Sequence, residues 1–158
     1  MRAGFARALT RTRAGIVLAV AALTLGLAGC AHREPVEAEL FQATLEAVPG
    51  NAGQGSSAGG RATLRYTARS QLLHWEIDHA GLSGPVAGVH VHGPAGPGQV
   101  AHIVFPLSNR LGAAPPRGQL RISPEQYGQL SSGQWYVDLH TARFPQGELR
   151  GQVRPVPH

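Results

Sequence analysis

Histidine offers the richest chemistry in this sequence: eight occur, and three of them are spaced so that they can hold a metal ion. His90 and His92 flank Val91 in the segment Val86-Ala-Gly-Val-His-Val-His92. In an extended strand successive side chains alternate, so the two rings project from one face while Val89 and Val91 enter the other. Their backbone anchors are then roughly 6–7 Å apart, a separation from which two imidazoles can reach one ion at about 2 Å. His140 lies in Trp135-Tyr-Val-Asp-Leu-His-Thr141, sharing a face with Tyr136 and Asp138 and opposing Trp135, Val137 and Leu139. If these two strands are neighbours, three neutral imidazoles converge. Imidazole suits copper, zinc, nickel and iron, and Asp138 and Glu148 are the carboxylates placed to orient the rings. Glu148 also shares a strand face with Arg150, so a structural ion pair between them, or with Asp138, is the competing role. For the three histidines the competing reading is hydrogen bonding to loop backbone, which would lock the turn at 93–98.

The other reactive side chain is Cys30, the only cysteine. Arg2, Arg7, Arg11 and Arg13 precede an uncharged stretch from Ile16 to Gly26, the positive and apolar regions of an export signal. The stretch ends in Leu27-Ala-Gly-Cys30. This resembles the lipobox of bacterial lipoproteins, which implies cleavage before Cys30 and acylation of its thiol. Two or more acyl chains give durable membrane attachment where one is marginal. Residues 1–29 are therefore expected to be a lipoprotein signal peptide and residues 30–37 a lipidated tether. Ala14 to Ala31 is just long enough for an uncleaved anchor, the alternative reading. Arg11-Thr-Arg13 is not a twin-arginine pair, which makes the general export route the expectation. Ala31, where retained lipoproteins often carry Asp, points by resemblance to the periplasmic face of the outer membrane. With its thiol acylated the mature chain has no disulfide to stabilise it.

The formal charge of +5 over 158 residues would suggest an anionic partner, but four of the 14 basic residues are those leader arginines. The remaining ten nearly balance the nine acidic residues, which removes the main argument for nucleic-acid binding. Three enzyme motifs are also excluded. Gly81-Leu-Ser-Gly84 is not a nucleophile elbow. Gly93-Pro-Ala-Gly-Pro-Gly98 has no following helix to seat a phosphate. Cys30 is not a catalytic thiol once acylated.

These residues need a scaffold of short strands. Gly and Pro together make up 33 positions, without a collagen period, which dictates many turns. Leu64 and Tyr66 alternate with Thr63 and Arg65, and Leu73, Trp75 and Ile77 with His74, Glu76 and Asp78, the two-residue period of half-buried strands. Strands are expected over 40–47, 61–66, 73–78, 86–92, 100–107, 119–122, 135–141 and 148–153, with a Gly/Ser loop at 49–60. Ser123-Pro-Glu-Gln126 reads as the start of one short helix with a capping box, Leu130 facing inward. The pattern gives an all-β chain of one domain, 38–154, with a tail at 155–158. His74, His79 and His102 are expected at the surface.

Three blocks carry a family resemblance: Gly88-Val-His-Val-His-Gly-Pro-Ala95, Tyr136-Val-Asp-Leu-His-Thr141 and Gly147-Glu-Leu-Arg-Gly-Gln152. In this order they resemble the CHRD domain, named from chordin and widespread in secreted and lipid-anchored bacterial proteins. The resemblance covers roughly residues 38–153 and implies a single antiparallel immunoglobulin-like or Greek-key β-sandwich with no settled biochemical activity. Asp138 departs from it, since the family often has Asn there. The His-Val-His strand is also similar to the copper-binding strand of Cu,Zn superoxide dismutases, but their bridging histidine, zinc ligands and cysteines have no counterpart.

The expected function is binding rather than turnover, by a lipid-anchored protein of the cell envelope. The leading ligand is copper, or else zinc, on His90, His92 and His140. A metal-free module that contacts another envelope protein is the alternative, and dismutase-like redox catalysis the third.

Overall fold

The computed structural model describes residues 37–50, 57–108 and 116–157; the leader, Cys30 and most of the tether lie outside them, as does the centre of the Gly/Ser loop. The expected architecture forms: antiparallel, mostly β, with one short helix. In chain order the strands are β1 (Glu39–Ala47), β2 (Gly59–Thr67), β3 (Leu72–Ala80), β4 (Val86–His92), β5 (Ile103–Ser108), β6 (Arg117–Arg121), β7 (Tyr136–Thr141), β8 (Leu149–Gln152) and β9 (Arg154–Pro155). The helix α1 (Pro124–Ser131) precedes β7.

Alternation decides which face is dry. In β1, β2 and β3 the residues Phe41, Ala43, Leu45, Ala62, Leu64, Leu73 and Ile77 are buried, while their neighbours Arg61, Arg65, His74, Glu76 and Asp78 face solvent. Register then stacks the apolar rows, with Phe41 opposite Leu64 and Leu64 opposite Trp75. The strands run β5-β4-β7-β8-β1-β2-β3-β6 as one continuous sheet, with β9 against β1. This sheet curls until its ends approach. Trp75 of β3 donates its Nε1–H to the Leu107 carbonyl of β5 at 2.9 Å, and its ring lies 6.3 Å from that of Phe105. The result is a nearly closed barrel whose interior is filled by side chains. Each fully buried Leu, Ile or Phe contributes about 1.5–3 kcal/mol, which suits a domain that must hold together by its core.

The helix closes one end. Ser123 Oγ accepts from the Gln126 amide at 3.1 Å and Gln126 Oε1 accepts from the Ser123 amide at 2.8 Å, the reciprocal box expected from the sequence. Leu130 is fully buried.

Two segments depart from the sequence expectation. Residues 100–102, assigned to a strand, belong to a loop, because their backbone groups bond elsewhere: the Ala101 amide to Tyr136 Oη and the His102 carbonyl to the Gly93 amide. At the other end, Pro155 of the expected tail pairs with β1, and the Val156 amide donates to the Leu40 carbonyl at 2.9 Å.

β8 passes so close to β1 that a side chain at Gly151 would run into the Thr44 carbonyl. Backbone there cannot yield as a flexible side chain would. Gly151→Ala is expected to lower stability by about 1–3 kcal/mol, read as a shift in the chemical-denaturation midpoint. An unchanged midpoint would contradict this packing.

Candidate metal centre

β4 and β7 carry apolar residues on one face and a polar group on the other. One face carries Val89, Val91, Val137 and Leu139 into the core. The other gathers His90, His92, Asp138 and His140, because register sets His90 opposite Asp138 and Gly88 opposite His140. Asp138 is the centre of this group, its side chain only 2% exposed. Its Oδ1 lies 2.8 Å from His140 Nε2, 3.1 Å from His92 Nε2 and 3.7 Å from His90 Nδ1. His90 Nδ1 and His140 Nε2 are 3.0 Å apart. One potential ligand atom from each residue falls within 4.8 Å of all the others.

Backbone carbonyls fix which ring edge faces the group. His92 Nδ1 lies 2.9 Å from the Ala101 carbonyl and His140 Nδ1 lies 3.0 Å from the Pro145 carbonyl. A carbonyl can only accept, so each Nδ1 carries the proton. In the neutral rings both Nε2 atoms therefore present bare lone pairs toward Asp138 Oδ1, itself an acceptor. His90 can donate its one Nδ1 proton to His140 Nε2, and the two contacts with the carboxylate remain without a donor. With neutral rings the group thus has fewer donors than acceptors, a deficit that an extra ring proton or a metal cation makes good.

Packing holds the rings in these poses. The Tyr136 ring stacks on His92, centroids 4.8 Å apart and planes within 4°, and Tyr136 Oη accepts from the Ala101 amide at 3.2 Å. Gly88 leaves room for the His90 ring, since a Cβ there would stand 3.2 Å from His90 Cε1. The Arg150 guanidinium sits 4.5 Å over the Tyr136 ring, with Nη2 at 3.7 Å from Asp138 Oδ2. Arg150 Nε is a buried donor with no hydrogen-bond partner.

Titration follows these contacts. Hydrogen bonding to Asp138 raises the His140 pKa against the opposing effect of burial. Burial, reinforced by His140, lowers that of His90. Burial pushes the Asp138 carboxyl upward, but the His140 hydrogen bond and the charges of His140, His92 and His90 outweigh it and leave it below its ordinary value.

The structure brings His90, His92 and His140 together as their strand parity implied. It moves Asp138 from the flank of the group to its centre. That position was legible in part, since Asp138 shares parity with His140; the cross-strand pairing with His90 was not. Glu148 is placed elsewhere: its carboxylate accepts from Ser83 N, Ser83 Oγ and Thr141 Oγ1 at 2.7, 2.7 and 2.6 Å. It makes no hydrogen bond to a histidine and no ion pair with Arg150 among the described residues, because its carboxylate is taken up by Ser83 and Thr141. His74 and His102 are exposed and His79 is half-buried, as expected of surface positions. The Ala101 and Pro145 carbonyls have no side-chain signature and were invisible in the sequence.

An antiparallel, nearly closed β-barrel with a three-histidine, one-carboxylate cluster on an outer face is the class of protein these features define. The model of the CHRD domain matches residues 41–153, which is most of the chain, and the protein belongs to that family. No curated protein and no solved structure matches it significantly.

Burial pushes the Glu148 carboxyl upward, but its hydrogen bonds from Thr141 and Ser83 outweigh this and hold it below its ordinary value. A depressed folded pKa gives stability that is present above the unfolded value of about 4.3 and lost as pH falls through the folded one. Denaturation midpoints measured downward from about pH 5 should therefore fall more steeply for the wild type than for Glu148→Gln. Equal slopes would show that the Glu148 pKa is the same in the folded and unfolded chains.

Proposed function

We propose that this CHRD domain binds a divalent transition metal ion, copper or zinc, through His90, His92, His140 and Asp138. The observation that carries the reading is the convergence of three imidazoles on one buried carboxylate: ligand atoms from all four side chains lie within 4.8 Å of one another. With the Nδ1 protons of His92 and His140 held by backbone carbonyls, the neutral rings turn their Nε2 lone pairs toward Asp138 Oδ1. A cation in their midst satisfies all of them at once. A tetrahedral ion with bonds of about 2.0–2.1 Å separates its ligand atoms by roughly 3.4 Å. The contacts of 2.8 to 3.7 Å around Asp138 Oδ1 bracket that spacing, and the wider separations in the group, up to 4.8 Å, close on it by side-chain rotation. The carbonyl bonds to Nδ1 are also the outer-shell contacts that orient ligating imidazoles in general. The loop-locking role expected as the alternative accounts for the Nδ1 contacts, and without a metal the Nε2 contacts need a second proton on the ring. Three nitrogens and one oxygen suit either metal.

The ion is held rather than turned over in this reading, by a domain tethered through an acylated Cys30 to the periplasmic face of the outer membrane. The leader sequence supports that location. Acylation is tested separately, by the mass of the mature protein isolated from membranes; a chain lacking added lipid would remove the anchor while leaving the metal site untouched.

Metal binding is tested with residues 31–158 titrated with Zn(II), Cu(II) and Cu(I). One equivalent is expected to bind, with affinity falling as pH drops because protons compete for the imidazoles. Asp138→Ala or the combined His90→Ala, His92→Ala and His140→Ala should each abolish stoichiometric binding. Equal binding by wild type and the triple variant would sink the proposal and turn attention to protein partners of the envelope. Turnover of superoxide by the copper-loaded protein would favour the dismutase reading instead.

A further inference from the structure

Glu148 is a buried carboxylate whose partners are all neutral. It is 1% exposed, and among the described residues no arginine or histidine side chain bonds to it. Instead Ser83 donates both its amide and its hydroxyl, and Thr141 its hydroxyl. These partners belong to two separate segments. Ser83 lies in the connection that enters β4, the strand of His90 and His92. Thr141 is the last residue of β7, directly after His140, and opens the turn that returns to β8. Further bonds tighten that turn: the Phe144 amide to the Thr141 carbonyl at 3.1 Å, the Gly147 amide to the Phe144 carbonyl at 3.1 Å and the Glu148 amide to the Leu139 carbonyl at 2.7 Å. Within it sits Pro145, whose carbonyl takes the His140 Nδ1 proton. His92 relies on a different loop, through Ala101.

We infer that Glu148 is a positioning residue for His140: it clasps the 141–148 turn to the 81–85 connection, and so holds the Pro145 carbonyl where it fixes the His140 tautomer. The inference rests on the metal-binding reading for its purpose, but not for its test. A charged carboxylate taking three hydrogen bonds fixes its donors more firmly than a neutral acceptor would. A buried acid that no cation bonds directly is costly unless its hydrogen bonds are complete, and Ser83 and Thr141 supply three. The clasp acts on one ligand of the cluster and leaves another, His92, on independent support.

The test is the ¹⁵N spectrum of the imidazoles in metal-free protein, at a pH where they are neutral. In the wild type both His140 and His92 should appear as single Nδ1–H tautomers. In Glu148→Ala, His140 should become a mixture of tautomers while His92 is unchanged. Glu148→Gln should restore the wild-type His140 signal, because the Ser83 and Thr141 hydroxyls can reverse to accept from the new amide. If Glu148→Ala does not fold, Ser83→Ala carries the same test by deleting one donor, and the same change confined to His140 should appear in smaller measure. For protein that binds metal, the Ala variant should also lose about 10–100-fold in affinity. A His140 tautomer unaltered in folded Glu148→Ala or in Ser83→Ala, or a change that strikes His92 equally, would overturn the clasp. Absence of metal binding by the wild type would defeat the metal reading alone, since the tautomer comparison needs no metal.

Discussion

One constraint organises the outer face of β4 and β7: a buried carboxylate shared by imidazoles whose protons point away from it. Asp138 Oδ1 could form ordinary hydrogen bonds with His92 and His140 if their Nε2 atoms carried protons. The Ala101 and Pro145 carbonyls claim the Nδ1 protons instead. A neutral imidazole has only one proton to give. The group is therefore built with more acceptors than donors, and added positive charge, whether extra protons or a metal ion, stabilises it. Arg150 supplies some of that charge from the flank, at 3.7 Å from Oδ2, too far for a hydrogen bond.

The fold supports this arrangement at both levels. The continuous sheet gives β4 and β7 direct register, so that two residues of one strand and two of the other meet without any loop residue as a ligand. Rigid strands hold such groups more accurately than loops do. The loops contribute orientation: the 93–102 loop through Ala101 and the 141–148 turn through Pro145. Beneath them the apolar face of the same two strands is anchored in the core by Val89, Val91, Val137 and Leu139. A displacement of either strand would thus cost core packing as well as cluster geometry, and the barrel stiffens the site it carries.

Much of this was legible in the sequence, and the remainder was hidden for identifiable reasons. Alternation in β2, β3 and β7 revealed strands and their buried faces, since a period of two follows directly from backbone geometry. The capping box at Ser123 and the inward Leu130 followed from local chemistry. The parity of His90, His92, Asp138 and His140 placed each pair on one face of its strand. What parity cannot give is which strands are neighbours, and so Asp138 was read as a supporting residue when it is the hub. Glu148 was read from strand-face parity as a partner of a histidine ring, of Arg150 or of Asp138, whereas Thr141 and Ser83, the latter far away in the chain, take its carboxylate. Residues 100–102 looked like strand because Val100 and Ile103 are apolar; both are exposed, at 79% and 52%, and their segment is held by backbone bonds to the cluster's own supports.

The central claim is that the four side chains bind one ion together, and it is tested most directly by X-ray absorption at the metal edge of zinc-loaded protein. The account predicts a shell of three imidazole nitrogens and one oxygen at about 2.0–2.1 Å, with the outer-shell scattering that imidazole rings produce. A shell with fewer than two imidazoles, or one unchanged when His90, His92 and His140 are replaced, would contradict it.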